Sequence, residues 1–325
     1  MKIKIALVSS IGGHLTELNH ISDTYKSFDH FYVFNSKIQS NELTNKNCHF
    51  IKHSERDLFF LKNIAECLKI IKKENPTHVI SFGAGLIIPF LLSALILRHK
   101  LNCIYVETLA SQKKISLTGK IIQYFNVYRI SQSEELYKKY KFHNLFIPSL
   151  KYLPLPKKQK NRKIFIGFGN LKKRHRTLEN ISRKVIEIFE GEVYIQLGHS
   201  LLEREAYEKK DVHIFSFKSK EDITKIINDC NTHIIHGGVG LFSELKNVYS
   251  HTFIVPRLKS RDEHINDHQL EIISLVENNQ NISVIYTYND FLNSFNCNIN
   301  EFDTFKHMGF NYSELKSIID LRLSS

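Results

Sequence analysis

Three short stretches of this 325-residue chain carry residue types spaced for chemistry. SSIGGHLTEL (9–18) leaves an apolar run through Gly12 and Gly13 and then presents His14 and Glu17 three residues apart, on one side of a starting helix. Glycines there let the backbone turn tightly and approach a ligand, and amides opening a helix favour an anion. Spacing leaves His14 divided between helix cap and functional base. HIIHGGVGLFSE (233–244) repeats the device: an apolar run ends in His236, followed by Gly237, Gly238 and Gly240, with Glu244 placed to accept hydrogen bonds from both hydroxyls of a ribose. The expectation is that this turn holds a nucleotide diphosphate. PRLKSRDEHINDHQ (256–269) then gathers Asp262, His264, Asp267, His268 and Gln269, a density of charge and amide suited to polar ligand groups.

Other loops are weaker alone. GFGN (167–170) offers amides to a phosphate, SFGAGLIIPF (81–90) turns through Gly83 and Gly85 into an apolar helix, and VETLASQKKISLTGK (106–120) is a polar loop beginning at Glu107. That last loop reads either as an acceptor site or as ordinary surface. The apolar helix reads as sheet packing or as a face against lipid. A dinucleotide fingerprint would require GxGxxG and an acidic residue about 20 positions on, and neither is present, which argues against a nicotinamide dehydrogenase. No HExxH or comparable ligand spacing appears, so neither metal nor cofactor is expected.

These loops need strands to leave from. Apolar, β-branched runs near 3–8, 31–34, 78–82, 103–106 and 127–130, and again near 163–168, 193–197, 212–217, 232–236, 252–255 and 282–286, alternate with helical stretches. That pattern predicts parallel sheets in two doubly wound α/β domains, with ligands beyond the carboxyl ends of the strands. FIPSLKYLPLPKKQKNRK (146–163) holds three of the six prolines and reads as the linker, giving domains 1–150 and 151–325. There is no fixed-period repeat.

At 42% hydrophobic and 24% charged the composition is globular. The net charge of +12 is concentrated in residues 1–150, where Lys and Arg exceed Asp and Glu by 9, against 3 in the remainder. An anionic partner is implied: a phosphorylated substrate or an anionic membrane face, since the basic residues are dispersed and no nucleic-acid-binding signature is present. Five scattered cysteines without a CxxC pair fit a reducing cytoplasm. The opening MKIKIALVSS reads as a first strand rather than a signal peptide, and LIIPFLLSALIL (86–97) falls short of the roughly 20 residues that cross a bilayer.

SSIGGHLTEL, FGAGLIIPFLLS and YVETLASQKKISLTGK resemble the membrane-associated, acceptor-side subunit of the dolichol-linked N-acetylglucosaminyltransferase. HGGVGLFSEL and VPRLKSRDEHINDHQLE resemble its donor-side subunit. The chain is thus similar to a fusion of the two halves of a GT-B-type, family 28-like UDP-sugar glycosyltransferase, akin to the peptidoglycan lipid-intermediate enzyme and to bacterial capsule and exopolysaccharide transferase pairs. The resemblance implies two Rossmann-like domains facing a cleft, the last helix crossing back to the first. It implies inverting transfer from an α-linked UDP-sugar to a polyprenyl-diphosphate-linked saccharide, forming a β-linkage in capsule, exopolysaccharide or O-antigen assembly, at the cytoplasmic face of the cell membrane and without a metal ion. By that resemblance His14 is the base, with Glu17 orienting it or replacing it, and Gly12, Gly13, Gly83 and Glu107 lie on the acceptor side. Gly169, Asn170, Gly237, Gly238 and Gly240 cradle the UDP phosphates, and Glu244 binds the ribose. Phe217 offers its backbone to uracil, His236 opens the glycine turn, and Asp267, His268 and Gln269 hold sugar hydroxyls. Asn170 and Leu171 stand where the family often has a hydroxyl. The competing readings are a UDP-sugar 2-epimerase of the same architecture and a non-catalytic, membrane-recruiting nucleotide-binding module.

Overall fold

The computed structural model describes residues 2–35, 47–51, 59–150, 162–169, 173–198, 211–238, 240, 251–264, 267–277, 282–298 and 310–324. The chain divides into two compact units, Met1–Pro148 with Asn311–Ser325, and Ser149–Phe310.

In the first unit the strands are β1 (Lys4–Val8), β2 (Asp29–Phe34), β3 (Cys48–Phe50), β4 (His78–Phe82), β5 (Asn102–Val106), β6 (Tyr128–Ser131) and β7 (Asn144–Leu145). They form one sheet in the order β3-β2-β1-β4-β5-β6-β7, every neighbouring pair parallel. Parallel strands covered on both faces should be apolar throughout rather than alternating, and β4 is buried at all five positions. The helices are α1 (Gly13–Asn19), α2 (Ser22–Lys26), α3 (Phe59–Glu74), α4 (Ile87–Ile96), α5 (Leu117–Ile122) and α6 (Glu134–Tyr140). Pro89 sits in the first turn of α4, where amides have no intrahelical partner to lose. Ser116 caps α5 by accepting from the Gly119 amide, and Ser133 caps α6 by accepting from Leu136.

In the second unit, β8 (Ser149–Leu150) is followed by β9 (Lys163–Gly167), β10 (Glu192–Gln196), β11 (Val212–Phe215), β12 (Thr232–His236), β13 (His251–Val255) and β14 (Ile282–Val284). The last six make a parallel sheet in the order β11-β10-β9-β12-β13-β14. Around it lie α7 (Arg176–Ile188), α8 (Lys220–Asp229), α9 (His268–Ile273) and α10 (Tyr288–Asn298). After β15 (Phe310–Asn311), α11 (Ser313–Leu323) belongs to the first unit. There Tyr312 stacks on His20 with ring centroids 4.4 Å apart, and Lys316 pairs with Asp23 at 2.6 Å.

Both sheets are doubly wound with the order reversing at one place, between β1 and β4 in the first unit and between β9 and β12 in the second. In such sheets the ligand crevice opens beyond the carboxyl ends of those two strands.

Candidate functional site

At the first switch point the chain leaves β1 through Gly12, whose φ of 106° turns it into α1. That glycine occupies the N-cap position, and no side chain caps the helix. His14 therefore lies inside α1 and is not its cap. Its ring instead packs on Gly83, just after β4, which Thr108, after β5, also approaches: a Cβ on Gly83 would stand 2.8 Å from His14 Cε1 and 2.8 Å from Thr108 Cβ. Gly83 itself has a φ of +61°. Only a residue without a side chain lets the imidazole lie there. Nδ1 of His14 is out of solvent with no hydrogen-bond partner among the described residues, and burial pulls the ring down to about 4. At neutral pH the imidazole is uncharged and able to accept a proton.

Glu17, one helical turn on, is fully buried. Its carboxylate accepts from Thr108 Oγ1 (2.7 Å), the Leu109 amide (3.1 Å) and Gln132 Nε2 (2.8 Å). It thus fastens α1, which carries His14, to the loop leaving β5. Burial pushes its carboxyl up to about 7, against the pull of those three donors and with a small contribution from Glu107. Glu107 is buried as well, and burial likewise raises it to about 7 while Ser116, the Thr108 amide and Tyr105 donate to it. A Cβ on Gly119 would collide with that carboxylate, so this glycine admits α5 close to Glu107. Gln132 donates both to Glu17 and to the Glu107 carbonyl (2.8 Å), closing the network.

The second switch point has the same plan. β9 ends through Gly167, Phe168 and Gly169, the last with a φ of +73°, and β12 ends in His236 followed by Gly237 and Gly238. A Cβ on either Gly169 or Gly238 would run into the His236 imidazole. The ring is the spacer between the two glycine turns. Nδ1–H of His236 donates to the Gly167 carbonyl at 3.3 Å, and burial first, then the nearby Arg257 charge, lowers the ring to about 3. Gly237 packs on Gln269, where a Cβ would stand 3.2 Å from Gln269 Cβ. Gln269 is buried, and its Oε1 accepts from the Arg257 amide at 2.8 Å. Asp267 accepts from the Lys259 amide (2.9 Å), His268 pairs with Glu271 (3.3 Å), Phe217 is exposed and Gly240 is helical. Asn170 and Glu244 lie outside the described residues.

Several residues the motifs did not single out complete these sites. Arg257 is the largest fully buried side chain among the described residues. Its guanidinium donates to the main-chain carbonyls of Phe168 (3.0 Å), Lys173 (2.6 Å) and Glu263 (3.3 Å). Beside it, Nε2–H of buried His175 donates to the Val255 carbonyl, and its Nδ1 is 3.3 Å from Glu263. Arg257 stood in a quoted motif, but a charged residue in a charge-rich stretch reads as solvent-exposed. Nothing in a linear sequence shows three carbonyls converging on it.

One surface is unusual. Ile87 to Leu91 of α4 are buried, as sheet packing requires, but Leu95 and Ile96 at its end are 63% and 62% exposed. Leu117, Ile121 and Tyr124, spaced along one side of α5 and its continuation, are exposed too, Tyr124 to 84%, with Lys113, Lys114 and Lys120 among them also exposed. Among the described residues no helix is long and apolar enough to cross a membrane, and no group of three or more His, Cys, Asp or Glu could hold a metal ion.

The family model described as "Oligosaccharide biosynthesis protein Alg14 like" matches residues 57–147, which include β4, β5 and the Glu107 loop. No curated protein sequence matches the chain. Among solved structures, MurG of Acinetobacter baumannii is similar over 99% of this chain and 94% of its own, at 14% identity and a TM-score of 0.59. UDP-GlcNAc 2-epimerase of Methanocaldococcus jannaschii, in complex with UDP-GlcNAc and UDP, covers 99% and 100% at 13% identity and a TM-score of 0.64. The UDP-GlcNAc 2-epimerase of Neisseria meningitidis bound to UDP-GlcNAc covers 99% and 100% at 10% identity and 0.65. At such identities the likeness is one of fold: two parallel-sheet, Rossmann-like α/β units of the kind shared by GT-B glycosyltransferases and these epimerases.

Proposed function

We propose that the chain is a glycosyltransferase that moves a sugar from a UDP-sugar to a polyprenyl-diphosphate-linked saccharide at an anionic membrane surface, in assembly of a surface polysaccharide. One observation carries the reading: at both switch points an imidazole lies against a positive-φ glycine, His14 on Gly83 and His236 on Gly169. The second of these, flanked by Gly237 and Gly238, suits a nucleotide diphosphate, whose charge is met by backbone amides. At the first, His14 is the candidate base: its imidazole is uncharged at neutral pH, and burial makes it a weaker base than a free histidine.

In this reading the acceptor hydroxyl gives its proton to His14 and attacks the anomeric carbon of the donor. The bond from that carbon to the diphosphate oxygen breaks, and UDP departs with the electron pair. In-line attack on an α-linked donor gives a β-linkage. Glu17 is out of solvent with both oxygens engaged, so it serves His14 by fixing Thr108 and Leu109 rather than by meeting substrate. Glu244 is the proposed partner of the ribose, and Phe217 offers its backbone to the base. No metal is required. The exposed apolar side of α5, with its lysines, supports docking on lipid, and the Alg14-like match over 57–147 supports an oligosaccharide-assembly setting.

The epimerase reading is kept because two of the similar structures are epimerases that hold UDP-GlcNAc. Incubation with UDP-sugars, with and without a polyprenyl-diphosphate monosaccharide, separates the two. Transfer predicts UDP release that depends on the acceptor. Interconversion of UDP-sugars without acceptor would establish the epimerase instead.

A further inference from the structure

We infer that Arg257 is a positioning residue for the diphosphate, acting by aiming and polarising the Gly169 amide; this rests on the UDP-binding reading above. The Phe168 carbonyl that accepts from Arg257 Nη2 at 3.0 Å belongs to the same peptide unit as the Gly169 N–H. In a trans peptide the two point in opposite directions, and no cis bond is present among the described residues. Holding the carbonyl inward on the guanidinium therefore turns the Gly169 N–H away from it. The same geometry applies at Lys173 and Glu263, whose carbonyls also accept from Arg257 and whose peptide units carry the Arg174 and His264 amides. Three peptide units are oriented by one side chain.

The charge adds to the geometry. A carbonyl bonded to a cation polarises its own peptide, making the N–H on the far side a stronger donor to an anion. Burial lowers Arg257 to about 10, with Glu263 and Glu179 pulling the other way, so the guanidinium stays charged at neutral pH. It is fully buried and cannot touch a ligand itself. The positive φ of Gly169, its closeness to His236 and the Arg257 bond on its preceding carbonyl together fix one amide direction at the switch point. A lysine keeps the charge but not the planar fork, and a single ammonium cannot serve the carbonyls that two guanidinium nitrogens reach.

The test compares UDP with uridine, which lacks the phosphates. By calorimetry, R257K should weaken UDP binding by about 10- to 100-fold, the equivalent of one or two charge-assisted hydrogen bonds, while uridine affinity changes less than about twofold. Equal loss for both ligands would indicate a merely structural residue and overturn the inference, as would unchanged UDP affinity. The wild-type protein labelled with 15N-glycine gives a second readout that needs no variant to fold. UDP should shift the Gly169 amide resonance strongly and uridine should not. Bound UDP that leaves this resonance unmoved overturns the inference alone, whereas a wild-type protein that binds no UDP overturns the functional reading beneath it.

Discussion

At the scale of single residues, two of the buried carboxylates, Glu17 and Glu107, make the plainest pH prediction. Glu17 and Glu107 have carboxyls raised from an ordinary 4.5 to about 7 by burial. A raised carboxyl favours the fold in its protonated form. The stability it contributes is whole below about pH 4.5 and is lost as pH rises to about 7, because the unfolded chain ionises first. Buried His14, His233, His236 and His251, lowered to between about 3 and about 4, act with the opposite sign over much of that window, so the carboxyl share is read as the difference between a variant and the wild type. E17Q removes one of the two carboxyl titrations while keeping an oxygen for the Leu109 amide and Gln132, so its melting temperature relative to wild type should rise as pH increases over that window. A constant difference would show that Glu17 is ionised in the fold throughout. The charge network was only partly legible beforehand: His14, Glu17 and Glu107 stand out by type and spacing, but that Glu17 would hold Thr108 and Gln132 rather than face a ligand depends on contacts across about 90 and 115 residues of chain.

At the scale of elements, the glycine turns divide the two proposed roles. A Cβ on Gly169 meets His236, and a Cβ on Gly83 meets His14, and both glycines have positive φ. Each alanine substitution forces strain of roughly 1–3 kcal/mol at its turn. G169A should weaken UDP binding with the first unit undisturbed, and G83A should slow turnover with UDP affinity intact. If G83A lowers UDP affinity as much as G169A does, the two turns do not have separate ligands. The strands that position these turns were readable because parallel, doubly covered strands are rich in apolar residues, as in KIALV and HVISF. β3 and β7 were not, being three and two residues long, too short for a periodic signal. The turn from β1 was legible in its glycines, but His14 inside α1 rather than at its cap became clear only from the backbone at Gly12.

At the scale of the whole molecule, charge and exposed apolar surface coincide in the first unit. Residues 1–150 carry most of the net positive charge, and Leu117, Ile121 and Tyr124 are exposed among lysines. Cosedimentation with anionic vesicles should exceed that with neutral ones and weaken as salt rises, since surface charges are screened. Replacing all three apolar residues by serine should reduce vesicle binding at low salt without lowering UDP affinity. Equal partition onto neutral and anionic vesicles would contradict a lipid-facing role for this surface. The basic first half was visible from composition. Which apolar side chains remain outside was not, because helix α4 is apolar nearly all round and buries most of itself.

The most direct measurement is turnover and UDP affinity of H14A beside the wild type, with a UDP-sugar and a polyprenyl-diphosphate monosaccharide. In the proposed reading His14 is the base and belongs to one unit, while the nucleotide binds residues of the other. Transfer should therefore fall about 10²- to 10⁴-fold with calorimetric UDP affinity unchanged, because a general base acts on the acceptor proton and not on donor binding. Near-normal transfer by a folded H14A protein would contradict the account.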